Sequence, residues 1–375
     1  MAVSRSADVC VIGGGVIGRA TALALVARGV RVDLVSRDLP GAASRAAAGL
    51  LAPSIEGGSG PSHEFAVAAR DAYPAFLESL RERASTHVEH SRSGILDVAL
   101  DDESEVRLRE VAARSGIPYL LPNEVRSLEP ALAATRGGVL VELDGYVDNV
   151  ALMDALEHAT RTAGPKLREV EGLVSRIELG RDSATLISSL GDRRSASAVV
   201  VAAGAWSNTL AGLPRPLPVR PLKGEMLRYD PGASSQALNR PVYGAGVYAV
   251  PRAVDRILVG ATSDEAGFDV AITPEAASRL SGGAKALLPQ LREREPDDHW
   301  CGLRPMSSDS LPVLGQDPEF PALLYATGHS RNGILKAPIT GDCIAALFVG
   351  EEPPFDLSPF SLQRHEATLA PPQIR

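Results

Sequence analysis

The chain has 375 residues, 45% hydrophobic and 22% charged, with a formal net charge of −8. That length exceeds what one hydrophobic core serves, so two domains are expected. The acidic balance gives no electrostatic reason to expect nucleic acid or an anionic membrane, and an acidic substrate would need a local basic pocket.

Cys10, Cys301 and Cys343 are too few and too scattered for a disulfide framework or a zinc site, and reduced thiols are expected. No metal site is read. No signal-peptide pattern precedes the first apolar run, and no apolar run approaches the ~20 residues of a membrane span. A cytoplasmic protein without membrane attachment is expected, and self-association is left open.

Val9–Ile12 is a short apolar run ending in Gly13-Gly14-Gly15, which predicts a buried parallel strand entering a tight turn. Helical spacing follows from Val16 to Arg28, with Gly29 placed for a C-cap, and Arg31–Val35 is a second strand. Residues 64–84 and 104–115 read as amphipathic helices on either side of a strand at 94–100. A strand at 138–143 precedes a helix at 150–163 with Asp148 as its N-cap. Val199–Ala203 is another apolar strand, and it runs into Gly204. From 221 to 272, alternation broken by Gly and Pro predicts an antiparallel sheet, with 246–250 and 256–261 as a hairpin. Pro274 opens a helix to about 288. A strand from Leu323 leads into the Gly-rich stretch 328–333, then a helix from Pro338 to Val349, and the last ten residues read as a loose tail.

The fold class expected is α/β: a discontinuous Rossmann-like nucleotide-binding domain with an inserted second domain rich in antiparallel sheet. The segments are 1–85, 145–220 and 300–375 for the first, 86–144 and 221–299 for the second. The reason is that nucleotide-type elements occur at the start, middle and end, with sheet-rich material between them.

Gly13-x-Gly15-x-x-Gly18 lies between a strand and a helix, the context that gives this motif meaning. The first glycine permits the turn, the second lets backbone approach a pyrophosphate, and the third lets helix and strand pack closely. Val16 and Ile17 open the helix whose N-terminus would face the phosphates. The acid expected after the second strand is replaced by Ser36, followed by Arg37 and Asp38. An arginine there with no acid favours NADP. The motif alone therefore leaves an NADP-dependent dehydrogenase and a flavoprotein both open.

Five further stretches bear on that choice. They are Ser44-Arg45-Ala46-Ala47-Ala48-Gly49-Leu50-Leu51-Ala52-Pro53, Gly145-Tyr146-Val147-Asp148, Val201-Ala202-Ala203-Gly204-Ala205-Trp206-Ser207, Gly302-Leu303-Arg304-Pro305, and Gly328-His329-Ser330-Arg331-Asn332-Gly333-Ile334-Leu335. In this order they resemble the glycine oxidase (ThiO) branch of the D-amino-acid oxidase family of FAD-dependent oxidoreductases, over about residues 8–350. The resemblance implies a non-covalently held FAD at a domain interface and an oxidase acting on a small amino acid or an N-substituted glycine. Hydride passes from the α-carbon to the flavin, the imine hydrolyses, and dioxygen is reduced to hydrogen peroxide. The other reading within this class is a sarcosine-type secondary-amine oxidase of a specialised pathway.

Carried over residue by residue, the resemblance implies cofactor contacts from Gly13, Gly15, Val16, Ile17 and Gly18. It adds Ser36, Arg37, Ser44, Arg45, Gly49, Leu50 and Leu51, then Val174, Gly204, Gly328, His329, Ser330, Asn332, Gly333 and Ile334. Arg304 matches a carboxylate-binding arginine, whose planar fork suits two carboxylate oxygens. Arg331 and Tyr248 are further substrate contacts. No side chain is expected to act as a catalytic base, so His329 reads as structural. Three departures stand out: Ser36 replaces the usual glutamate, Ser330 stands where an aromatic is common, and Lys336 puts a charge after Ile334-Leu335, read as a snorkelling surface lysine. Cys301 lies near where sarcosine oxidases attach flavin covalently, and non-covalent binding is the expectation.

Overall fold

The computed structural model describes residues 7–55, 58–84, 86–230, 232, 237–253 and 256–365. The expected C-terminal tail lies outside the described residues. A six-stranded sheet runs in spatial order through Val313–Gln316, Leu323–Thr327, Ala198–Val201, Val9–Ile12, Val32–Ser36 and Leu167–Glu171. All its pairings are parallel except that of the edge strand Val313–Gln316.

Alternation along these strands divides the core in two. Val9 and Val11 pack with helices Val16–Ala27, Pro61–Ala84, Asn149–Arg161 and Gly333–Val349. Cys10 and Ile12 face the other way, against Ile177, Ala184 and Leu186 of a three-stranded antiparallel sheet. That small sheet, Val174–Leu179, Ala184–Ser188 and Arg193–Ala196, was not foreseen, because its polar, half-exposed strands carry little apolar signal. The predicted helix over 150–163 spans Asn149–Arg161, and Asp148 caps it by accepting from Val150 N and Ala151 N.

The last helix begins at Gly333, five residues before the predicted start at Pro338. A proline inside a helix leaves the carbonyl four residues earlier without its donor. Here the buried Tyr73 hydroxyl donates to that carbonyl, Ile334 O, at 2.5 Å, and the helix continues through the proline. Lys336 is consequently not a surface lysine: it is 2% exposed within this helix.

The second layer is an eight-stranded sheet in the order Asp298–Ser307, Val219–Tyr229, Arg256–Gly260, Val247–Arg252, Val242–Gly244, Ile95–Ala99, Gly137–Val141, Tyr119–Leu120. The predicted hairpin is Val247–Arg252 paired with Arg256–Gly260. One face, with Leu96, Val242, Ala249, Val259 and Leu227, packs on helix Pro274–Leu287. The register places Asp97, Tyr243, Tyr248, Gly260, Met226 and Trp300 in a row on the other face. The strand carrying Arg304 belongs to this sheet, so a segment boundary at 300 would cut it, and we propose a boundary after Ser307. No helix among the described residues is long and apolar enough to cross a membrane.

Candidate active site

One continuous cavity of 1530 Å³ lies between the two layers, and it runs from the glycine turn to Arg304 and Tyr248. Small-molecule pockets are typically ~300–1,000 Å³, so this one has room for a dinucleotide together with a small substrate.

At the first end the glycines are sterically required. Gly13 has φ +114, and a Cβ there would stand 2.3 Å from Ala202 O; one at Gly18 would stand 1.8 Å from Gly13 O. Gly15 N-caps helix Val16–Ala27, whose first turn carries no acidic residue, and Val16 N donates to Ser44 Oγ at 3.0 Å. A helix N-terminus without nearby carboxylates suits phosphate. Ser36 stands beside this turn, 2.7 Å from where a Gly14 Cβ would sit, and Arg37 and Asp38 follow it along the cavity wall. These features fit an adenine dinucleotide, with the pyrophosphate cradle complete and the ribose end lacking its acid.

The middle is formed by the Ser44–Leu50 segment, Val174 and Gly204, all on the cavity wall. At the far side, Gly328 (φ +71) and Ser330 (φ +55) turn the chain, and Ser330 N donates to Pro305 O at 2.9 Å. Asn332, Gly333 and Ile334 then present a second helix N-terminus to the cavity. His329 is 1% exposed, its Nε2 lies 3.1 Å from Thr340 Oγ1, and burial together with the positive Lys336 pulls its pKa down to about 3. An imidazole held neutral this way carries no imidazolium proton at ordinary pH.

Arg304 is partly buried at the cavity wall. Its Nη1 donates to Thr262 O at 2.9 Å, and the Tyr248 hydroxyl hydrogen-bonds its side chain. It forms no ion pair among the described residues, and loss of hydration, with Arg331 nearby, lowers its pKa. Tyr248 is also 3.3 Å from Met226 Sδ, and its ring centroid is 5.5 Å from that of Tyr243. Arg331 is exposed at the rim and reaches Ser263 Oγ at 3.5 Å. Two arginines and a helix N-terminus make this corner of the cavity locally basic.

Some expected contacts do not reach the cavity. Leu51 is 1% exposed and packs in the helix-side core, because strand alternation turns it away from where Leu50 points. Gly18 serves helix–strand packing, and Gly328 turns the chain behind the wall against Val219 and Ser307. Arg45 lines the cavity, but its guanidinium is held by Asp154 at 2.8 Å and Glu157 at 2.9 Å. Gly224, Tyr243 and Trp300 line the cavity without having been read from sequence. For Gly224 a signal existed, since a glycine inside a strand marks a close approach.

Residues 8–347 match the family model described as FAD dependent oxidoreductase, DAO. The chain belongs to this family. A glycine oxidase of Geobacillus kaustophilus is 36% identical over 370 residues, covering 96% of this chain and 97% of that protein. The crystal structure of glycine oxidase from Geobacillus kaustophilus superposes with a TM-score of 0.88 at 35% identity, covering 96% and 99% of the two chains. The structure of an iminodiacetate oxidase from Chelativorans sp. BNC1 gives 0.84 at 25% identity, over 94% and 98%. As a member of the DAO family, the protein is an FAD-dependent amine or amino-acid oxidase with a small-molecule substrate. The NADP alternative left open by Ser36 and Arg37 falls with this assignment.

Proposed function

We propose that the protein oxidises a small amino acid or N-substituted glycine, producing an imine that water hydrolyses, with dioxygen reduced to hydrogen peroxide. The observation that carries this reading is Arg304, a cavity-wall arginine without an ion pair, beside the Tyr248 hydroxyl and in the same cavity as the glycine turn. FAD, when bound, supplies the two-electron acceptor for the carbon–nitrogen oxidation and returns the electrons to dioxygen. The chain's own part is to bind and orient. Arg304 and Tyr248 hold the substrate carboxylate, which fixes the α-carbon within the cavity. No side chain takes the substrate's proton, and the amine enters neutral.

A second reading, a secondary-amine oxidase, is favoured by the shape of the cavity. Its wall continues along the sheet past Tyr243 to Asp97 and Arg107, well beyond what glycine occupies. FAD is bound non-covalently in both readings, and the free thiols of Cys10, Cys301 and Cys343 accord with a cytoplasmic location.

The test is peroxide release by the purified yellow protein across glycine, sarcosine, other N-substituted glycines and both enantiomers of small amino acids. Turnover of glycine above all others supports the first reading. Turnover of secondary amines with glycine and the other primary amino acids inert supports the second, and inactivity of the FAD-loaded protein on the whole panel overturns both.

A further inference from the structure

The Ser44–Gly49 strip lines the cavity between the two layers, and its carbonyl oxygens are almost all engaged from outside it. Asn149 Nδ2 donates to Ser44 O at 3.0 Å and Arg45 O at 3.1 Å, and Trp300 Nε1 donates to Ala46 O at 3.0 Å. Val147 N donates to Gly49 O at 2.9 Å. Arg252 Nη2 donates to Ala48 O and makes longer contacts of 3.4 Å to Val147 O and Asn149 Oδ1. The N–H groups of Ala48 and Gly49 have no hydrogen-bond partner among the described residues. A strip whose acceptors are pinned outward has its donors left for a ligand.

Arg252 is unusual in what surrounds it. It is partly buried, its guanidinium lies 5.0 Å from the Tyr146 ring centroid, and it forms no ion pair among the described residues. The carboxylates that face it are committed elsewhere: Asp148 accepts from the first turn of its helix, and Glu89 from the Tyr146 hydroxyl and Ala253 N. Arg252 also lies on the same strand and the same face as Tyr248, four residues on. One strand thus carries both a substrate contact and the arginine that grips the cofactor strip.

We infer that Arg252 and Asn149 form a positioning clamp that sets the Ser44–Gly49 strip for flavin binding, and that the unpaired charge of Arg252 raises the flavin's reduction potential. A fixed cation behind a low-dielectric wall favours uptake of electrons by whatever the wall holds. This rests on the FAD assignment above.

The test uses full-length protein with Arg252→Met, Arg252→Lys and Asn149→Ala, measuring FAD dissociation by flavin fluorescence and the midpoint potential by dye equilibration. Arg252→Met is expected to weaken FAD binding roughly tenfold to a hundredfold, the worth of a charged hydrogen bond, and to lower the potential. Arg252→Lys should restore the potential but only part of the affinity, because one ammonium cannot hold Ala48 O and Pro251 O from two separate nitrogens as the guanidinium does. Asn149→Ala should weaken binding with the potential unchanged. A folded Arg252→Met protein with wild-type affinity and potential overturns the inference. If Arg252→Met does not fold, unchanged affinity in Asn149→Ala overturns the clamp, and a lowered potential in Arg252→Lys overturns the charge effect. Failure of the wild-type chain itself to bind FAD would instead strike the family assignment.

Discussion

The guanidinium of Arg304 lies directly over Gly224, so close that a Cβ at position 224 would stand 2.2 to 2.4 Å from three of its atoms. Gly224 and Arg304 sit on adjacent antiparallel strands, and the missing side chain of one makes the space for the other. Gly224→Ala therefore forces the arginine out of place while leaving the glycine turn untouched. On the proposed function, KM for a carboxylate-bearing substrate rises and kcat/KM falls about tenfold or more, with FAD content unchanged. Arg304→Lys keeps the charge but loses the fork, and costs about 2 kcal/mol or more of the same binding. Steady-state kinetics on FAD-loaded protein decides both; an unchanged kcat/KM would remove Arg304 from the site.

The neutral His329 makes stability depend on pH. Its folded pKa of about 3 lies below the ordinary value of 6.5, so the unfolded chain takes up a proton first as pH falls. Its contribution is whole above pH 6.5 and is lost progressively as pH falls from there towards 3. The slope is about 1.4 kcal/mol per pH unit for a single group. His329→Asn should flatten the acid limb of a pH series of urea unfolding curves. The pH profile of flavin reduction should not move, and a marked shift would show that His329 handles a proton.

The hydroxyl of Tyr73 replaces the donor that Pro338 cannot supply. Tyr73→Phe leaves Ile334 O buried without that donor, at the turn that opens onto the cavity. A loss of about 1–3 kcal/mol is expected. Chemical unfolding of the FAD-loaded protein measures it, and stability equal to wild type would mean the helix does not depend on this bond.

Cys301 donates to Val270 O at 3.1 Å, and burial pushes its thiol pKa up. The register sets Cys301 opposite Glu225, and its neighbours Trp300 and Gly302 opposite Met226 and Gly224, so the thiol side chain leaves the sheet on the face away from Arg304. A protonated thiol so placed is a poor nucleophile. Acid precipitation should therefore leave the yellow colour in solution, both for the wild type and for Cys301→Ser.

Most elements of the chain were legible because they are local. The strand–turn–helix at Val9–Ala27 is written in an apolar run, three glycines and a helical spacing, and each of these acts within a few residues of itself. The motifs from Gly49 to Gly333 were legible as a set through their resemblance to the family. Leu51, Lys336 and the start of the last helix were misread, because each depends on a partner far along the chain. Leu51 faces the core through its pairing with Gly145, and the helix runs through Pro338 because Tyr73 reaches Ile334.

What the sequence by itself determined was the glycine turn and the kind of ligand such a turn serves; Ser36 left the choice between NADP and FAD open at that point. Only the tertiary structure decided which side chains share one cavity. Arg304 from the end of the chain meets Tyr248 and Gly224 through sheet register, and Arg252 meets Ala48 across 204 residues. Periodicity reports which face a residue takes, whereas the identity of its neighbour on that face is set by strand order, a property of the whole fold.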